Sequence, residues 1–193
     1  MPFAYEPIFQ LGADHDTPYR PLTRDFVSEV SVGGSTLLRV APQALTLLAR
    51  EAFVDVSFLL RPAHLARLQE ELADHEASDN DRFVIYTHLQ NAVVSAAGKL
   101  PNCQDTGTAI VMAKKGQRVL TAGDDTAALA EGVYDAFQQC NLRYSQMAPL
   151  EMFKEKNTAS NLPAQVDLLA DTLEEHAEEY SFLFIAKGGG SAN

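Results

Sequence analysis

The hydrophobic period of the chain changes near residue 100, and that change restricts the folds open to it. Upstream, Leu45, Leu48, Ala52, Phe53 and Val56 recur at helical spacing behind Pro42, whose fixed φ suits the first turn of a helix. Pro62 begins a second helical stretch with Leu65, Leu68 and Leu72, and Ser78 can cap a third that carries Phe83, Val84, Leu89, Val93 and Val94 and ends at Gly98. Downstream the pattern becomes short apolar runs. Residues 108–113 read as a buried strand that turns at Lys115-Gly116 towards Val119-Leu120. Residues 165–170 and 180–186 read as a strand pair across the acidic connection 174–179. One helix intervenes, capped by Asp124 or Asp125, with Leu129, Val133 and Phe137 as its apolar stripe. A polar segment, 141–161, follows it.

Ahead of the helices, residues 1–25 carry Pro2, Pro7, Pro18 and Pro21 without a sustained period, which suggests an extended arm, and 27–40 has the pattern of a hairpin around Gly33-Gly34. Helices followed by a largely separate group of strands favour an α+β fold: an N-terminal helical lobe, then a mixed, mostly antiparallel sheet with flanking helices. An α/β arrangement is the formal alternative, because a helix does separate two strand groups. The expected organisation is an arm and hairpin over 1–37, a helical lobe over 38–100 and a sheet-containing lobe with the site loops over 101–193.

Charge and cysteine content remove several function classes. Fifteen Lys and Arg against 26 Asp and Glu give a net charge of −11, which opposes nucleic acid and anionic membrane surfaces. No run approaches the roughly 20 apolar residues of a membrane span. Two cysteines, Cys103 and Cys140, are too few for a disulfide-built scaffold or a Cys₄ site. The reading is a cytoplasmic soluble protein with neither nucleic acid nor membrane as partner.

Three segments can carry chemistry. Cys103 stands in a Pro-Asn-Cys-Gln-Asp-Thr-Gly loop directly before the buried strand, with Gln104, Asp105 and Thr106 next to it. Loops entering rigid strands fix reactive groups well, although a buried free cysteine beside an ordinary Asp-Thr-Gly turn is the bland alternative. The closing run from Lys187 to Asn193 offers successive unhindered N–H groups to a carboxylate or phosphate, or is a flexible glycine-rich tail. Arg143 can present a planar fork to a carboxylate or sit in a solvated ion pair. The five histidines show no metal-ligand spacing, and Cys140 reads as a helix-end residue.

Taken together, these segments resemble the N-terminal, or alpha, domain of the class I iron-sulfur fumarate hydratases, with the tartrate dehydratase alpha subunit more distant. The matching stretches are 40–50, 60–64, 102–107, 114–118, 141–145 and 187–193, in fixed order within roughly 38–193. The resemblance implies a hydro-lyase of the tricarboxylic acid cycle that converts (S)-malate reversibly to fumarate and water. It implies a 4Fe-4S cluster held by three cysteines, with an open iron acting as Lewis acid. On this chain Cys103 matches a cluster ligand. Gln104 and Asp105 match substrate-contacting positions, with Asp105 the better candidate for proton transfer. Arg143 matches a residue that grips a substrate carboxylate, and Gly188, Ser191, Ala192 and Asn193 match the start of a substrate loop.

In the family the other two cluster cysteines lie beyond the position of Asn193, and Cys140 is not a ligand position. The chain is therefore expected to be a fragment, without a stable cluster or hydratase activity, that needs a C-terminal domain or beta subunit, the full-length enzyme being a homodimer. A dicarboxylate is the expected substrate, with tartrate in place of malate as one alternative. The alternative of another class is a non-catalytic anion-binding or partner-binding module.

Overall fold

A computed structural model describes residues 19–103 and 107–188. The element order is β1 Val27–Val32, β2 Ser35–Val40, α1 Pro42–Phe58, α2 Pro62–Leu72, α3 Asp79–Ala96, β3 Thr108–Gly116, β4 Val119–Thr121, α4 Asp125–Gln139, β5 Met147–Glu151, β6 Lys154–Asn157, β7 Gln165–Asp171 and β8 Tyr180–Lys187. The helices and mixed sheets make this an α+β fold, as the sequence leads one to expect. Among the described residues two compact units divide the chain, one containing Leu60–Asn91, the other Leu22–Leu59 and the described residues from Ala92 onward.

In the first unit, α2 starts with Pro62 in its first turn. The start of α3 is a capping box: the Asp81 amide donates to Ser78 Oγ at 3.2 Å, while the Ser78 amide donates to the Asp81 carboxylate at 3.0 Å. The Arg82 guanidinium donates to the carbonyls of Leu72, Asp74 and Ala77, which satisfies acceptors left open where α2 ends.

The second unit holds the core. Leu45, Ala49 and Phe53 recur every four residues on α1, and all three are buried. They pack with Leu129, Val133, Ala136 and Phe137 of α4. The two helices meet closely at Gly132, where an added Cβ would lie 2.3 Å from the Thr46 carbonyl oxygen. Asp124 caps α4, its side chain accepting from the Ala127 amide at 3.1 Å. Every second residue of β3, namely Ala109, Val111 and Ala113, is fully buried, as one packed sheet face requires.

Among the described residues there are two three-stranded sheets, in the orders β1-β2-β4 and β7-β3-β8, and the hairpin β5-β6. β1 and β2 pair antiparallel around Gly33-Gly34, and β4 joins β2 in parallel. The last two strands do not pair with each other. β7 lies parallel to β3 on one side, and β8 lies antiparallel to β3 on the other, with Thr108 opposite Lys187 and Lys115 opposite Tyr180. The reason is burial: Ala109, Val111 and Ala113 give β3 a fully buried apolar row to extend on both edges, so each strand gains more beside it than beside the other. The polar segment 141–161 also contains the unanticipated hairpin β5-β6.

Candidate functional site

Two of the three segments singled out for chemistry, the Cys103 loop and the described start of the glycine-rich run, reach the same end of the β3-β8 pair. The chain leaving α3 is held against α1 just before the loop, the Asn102 amide donating to the Ser57 carbonyl at 2.8 Å. Cys103 is exposed and forms no disulfide. The loop returns to the sheet at Gly107, whose φ of +54° belongs to the left-handed region. An added Cβ there would lie 1.7 Å from the Lys187 carbonyl oxygen and 2.6 Å from Gly188 Cα. The return of the cysteine loop and the start of the glycine-rich run thus touch backbone to backbone, and only glycine allows it. Gly188 is half-buried at this contact. Gln104, Asp105, Ser191, Ala192 and Asn193 lie outside the described residues.

Arg143 arrives from the opposite direction, just after α4. Asn141 turns the chain with a φ of 50°, the Leu142 amide donates to the Phe137 carbonyl at 3.0 Å, and Leu142 is buried in the core. Arg143 itself is exposed. The segment after Arg143 is tied to the cysteine loop through Asn161, which the sequence did not single out. The Asn161 Oδ1 accepts from the amides of Ser145 at 2.8 Å and Gln146 at 3.1 Å. Its Nδ2 donates to the Gly107 carbonyl at 2.7 Å. A second tie runs from Gln146 Nε2 to Thr108 Oγ1 at 2.6 Å. Asn157 Nδ2 donates to the Tyr144 carbonyl, and the Thr158 amide to the Gln146 carbonyl. The only local signal for Asn161 is that asparagine tolerates a positive φ, here 56°, and that is shared by most turn asparagines.

The two cysteines differ in a way that bears on metal chemistry. The Cys140 thiol is half-buried, and burial together with the nearby Glu51 charge pushes its pKa up, which disfavours the thiolate a metal needs. Cys103 stands in the open on a loop. A soft, accessible sulfur of this kind fits one position of an iron-sulfur ligand set, although among the described residues no three His, Cys, Asp or Glu side chains gather as a metal site. Surface clefts of about 230 and 300 Å³ are lined by residues such as Asp25, Arg39 and Ala122, and Gln43, Arg50 and Glu131. None of their lining residues is a sequence-predicted site residue. The described helices include none long and apolar enough to cross a membrane.

Comparison with known proteins agrees with the family resemblance read from the sequence. A family model described as fumarate hydratase (Fumerase) matches residues 46–193. The chain is 56% identical over 192 residues to "Fumarate hydratase class I, aerobic" of Escherichia coli (strain K12), a match covering 100% of this chain and 34% of that protein. It is 52% identical over 193 residues to "Fumarate hydratase 1, mitochondrial" of Leishmania major, covering 99% of this chain and 34% of that protein. A more distant match, 26% identical over 121 residues, is the "L(+)-tartrate dehydratase subunit alpha" of Escherichia coli (strain K12), covering 62% of this chain and 39% of that subunit. The chain spans about a third of the length of the fumarate hydratases it matches.

Proposed function

We propose, from the premise that this chain belongs to the fumarate hydratase (Fumerase) family, that it supplies one wall of the site of a hydro-lyase interconverting fumarate and (S)-malate. The observation that carries the reading is the convergence at one sheet end. Gly107 brings the Cys103 loop against Lys187 and Gly188, and Asn161 ties the segment after Arg143 to the same glycine.

In this reading Cys103 provides one thiolate to a 4Fe-4S cluster. When bound, the cluster supplies a Lewis-acidic iron that makes hydroxide a better leaving group. Arg143 pairs with one carboxylate of the dicarboxylate in a charge-assisted fork, and Gln104 offers an amide to the same molecule. Asp105 carries the proton on a carboxylate oxygen during exchange at the carbon next to the leaving group. The amides of Gly188, Ser191, Ala192 and Asn193 take the second carboxylate. A dianion approaches a chain of net charge −11, so the local positive charges of Arg143 and Lys187 must reverse the field near the site. The remaining ligands and basic groups come from the other part of the enzyme, as a C-terminal domain or separate subunit, and the working form is a homodimer in the cytoplasm. A single thiolate does not retain such a cluster, so the 193 residues alone are expected to be inactive.

The test uses the full-length holoenzyme prepared without oxygen. Cys103→Ser is expected to abolish the broad absorbance at about 400 nm, and Arg143→Ala to raise KM for malate by roughly ten-fold or more. Persistence of the absorbance in Cys103→Ser would remove the ligand assignment. Turnover of tartrate faster than malate would move the enzyme to the tartrate dehydratases.

A further inference from the structure

We infer that Asn161 is a positioning residue that sets the cysteine loop and the arginine segment in fixed relation, so that the metal-binding and carboxylate-binding parts of the site cannot move independently. This role rests on the proposed site and deepens it, by adding a residue that touches neither substrate nor cluster.

Four features carry it. Asn161 is fully buried, yet it stands outside every helix and strand, between β6 and β7. Its side chain makes three hydrogen bonds, all to backbone, and all to the two site segments: Ser145 and Gln146 beyond Arg143, and Gly107 beyond Cys103. The orientation of its amide is fixed, because a flip would set an NH₂ against two backbone N–H donors and a carbonyl against the Gly107 carbonyl. Lastly, the partners are far apart in sequence, at 107, 145–146 and 161. A residue needed only for a local turn would not reach across to them. The carbonyl it grips belongs to the glycine that must contact Lys187 and Gly188, so one side chain links all three segments that this chain brings to the site.

Two substitutions separate the bonds. Asn161→Asp keeps the acceptor for Ser145 and Gln146 but, when ionised, faces the Gly107 carbonyl with negative charge. Asn161→Gly accommodates the positive φ and loses all three bonds. In the 193-residue chain, hydrogen exchange of the Ser145 and Gln146 amides is expected to accelerate roughly ten-fold or more in Asn161→Gly and to stay near wild type in Asn161→Asp. In the full-length holoenzyme, with rates taken per cluster, Asn161→Asp is expected to raise KM for malate roughly ten-fold. Its loss should diminish at low pH, where the protonated acid again donates to Gly107, adding an ionisation absent from the wild-type profile. Unaltered exchange at both amides in Asn161→Gly would overturn the inference. So would wild-type kinetics per cluster in Asn161→Asp, or losses that only track the unfolded fraction in a parallel melt. The control is Cys103→Ser: if it keeps the absorbance at about 400 nm, the site reading fails, whereas wild-type kinetics in Asn161→Asp beside a cluster-free Cys103→Ser removes the positioning role alone.

Discussion

The two ends of β3 are held by different chemistry. At its far end the Lys115 ammonium pairs with the Asp125 carboxylate at 2.9 Å and donates to Thr121 Oγ1 at 2.5 Å. The Tyr180 hydroxyl donates to the same carboxylate at 3.0 Å. Arg118 adds ion pairs to Glu174 at 2.6 Å and Glu178 at 3.2 Å, and Asp171 holds His176 at 3.0 Å. These charges satisfy one another. At the near end the ties are a glycine contact, an amide and backbone bonds, while Cys103 and Arg143 stay exposed. Ion pairs close the end that only needs to stay closed, whereas the end proposed to work keeps a thiol and a guanidinium accessible.

Glycine is required at both ends, which makes the largest predicted effects. An added Cβ at Gly107 would sit 1.7 Å from the Lys187 carbonyl oxygen at an unfavourable φ, and one at Gly116 would sit 2.2 Å from the His176 carbonyl oxygen. Gly107→Ala is expected to destabilise by about 4 kcal/mol or more, at the diagnostic end of single substitutions, and Gly116→Ala by somewhat less, because its φ is ordinary. Chemical denaturation of the isolated chain checks both. A Gly107→Ala variant of wild-type stability would mean that the two backbones do not meet.

Much of this scaffold was legible in the sequence, and the reasons for the rest are physical. Helix starts declared themselves through local chemistry, as at Pro42, Ser78 and Asp124, and the hairpin through Gly33-Gly34. Hairpin β5-β6 left no trace because its second strand, 154–157, is exposed at every residue, so no burial alternation marks it. Period also cannot say which strands pair: β7 and β8 each read as strands, but their shared neighbour β3 lies well upstream, beyond α4 and the hairpin β5-β6, across a separation that local pattern does not span. Of the proposed site, Cys103, Arg143 and Gly188 were singled out through their motifs, and their roles are what the holoenzyme variants test. The ties between their segments were not legible, since they depend on Gly107 and Asn161 contacting backbone remote in sequence.

Breaking the charged end comes next in size. Asp125 is 9% exposed, so Asp125→Ala leaves an ammonium half-buried without its carboxylate and is expected to cost about 3 kcal/mol. The same residue predicts an acid limb. Burial opposes ionisation of Asp125, but hydrogen bonds from Thr121, Lys115 and Tyr180 outweigh it and hold the carboxyl below its ordinary value. The folded state therefore binds this proton less readily than the unfolded chain. Its stabilisation is complete above the unfolded pKa of about 4 and is lost as pH falls through the lower folded value. Asp171, held low by the Leu173 amide and then His176, acts in the same direction. Melts between pH 2 and 7, roughly the range in which carboxylates titrate, should show a shallower acid limb in Asp125→Ala than in wild type. An unchanged limb would mean that this carboxylate does not anchor the far end.

The cysteines sharpen the contrast with less damage to the protein. Cys103 is exposed, and Cys140 is half-buried with its pKa raised by burial and the Glu51 charge. Alkylation near neutral pH should modify Cys103 faster by roughly ten-fold or more, as peptide mass mapping over time would record. Equal rates would remove the distinction on which the choice of ligand rests.

The smallest effect belongs to Tyr180, and it separates the hydroxyl from the ring. The ring packs tilted against Phe182 at a centroid distance of 4.3 Å, with Lys115 Nζ 5.4 Å from its centre. Tyr180→Phe keeps those contacts and removes one donor, so about 1 kcal/mol is expected at neutral pH. The alkaline range gives a second reading. Burial first, then the Asp125 charge, raise the phenol pKa well above its ordinary value. The folded protein thus keeps this proton after the unfolded chain has lost it, and the phenol's contribution, full below the unfolded pKa of about 10, declines as pH rises above it. Tyr180→Phe has no such proton, so its deficit against wild type should shrink from pH 9 to 11, a window of about one unit either side of the ordinary phenol value. If the deficit stays constant across that window, the hydroxyl is not bound to Asp125, and the far end is closed by the Lys115 pair without it.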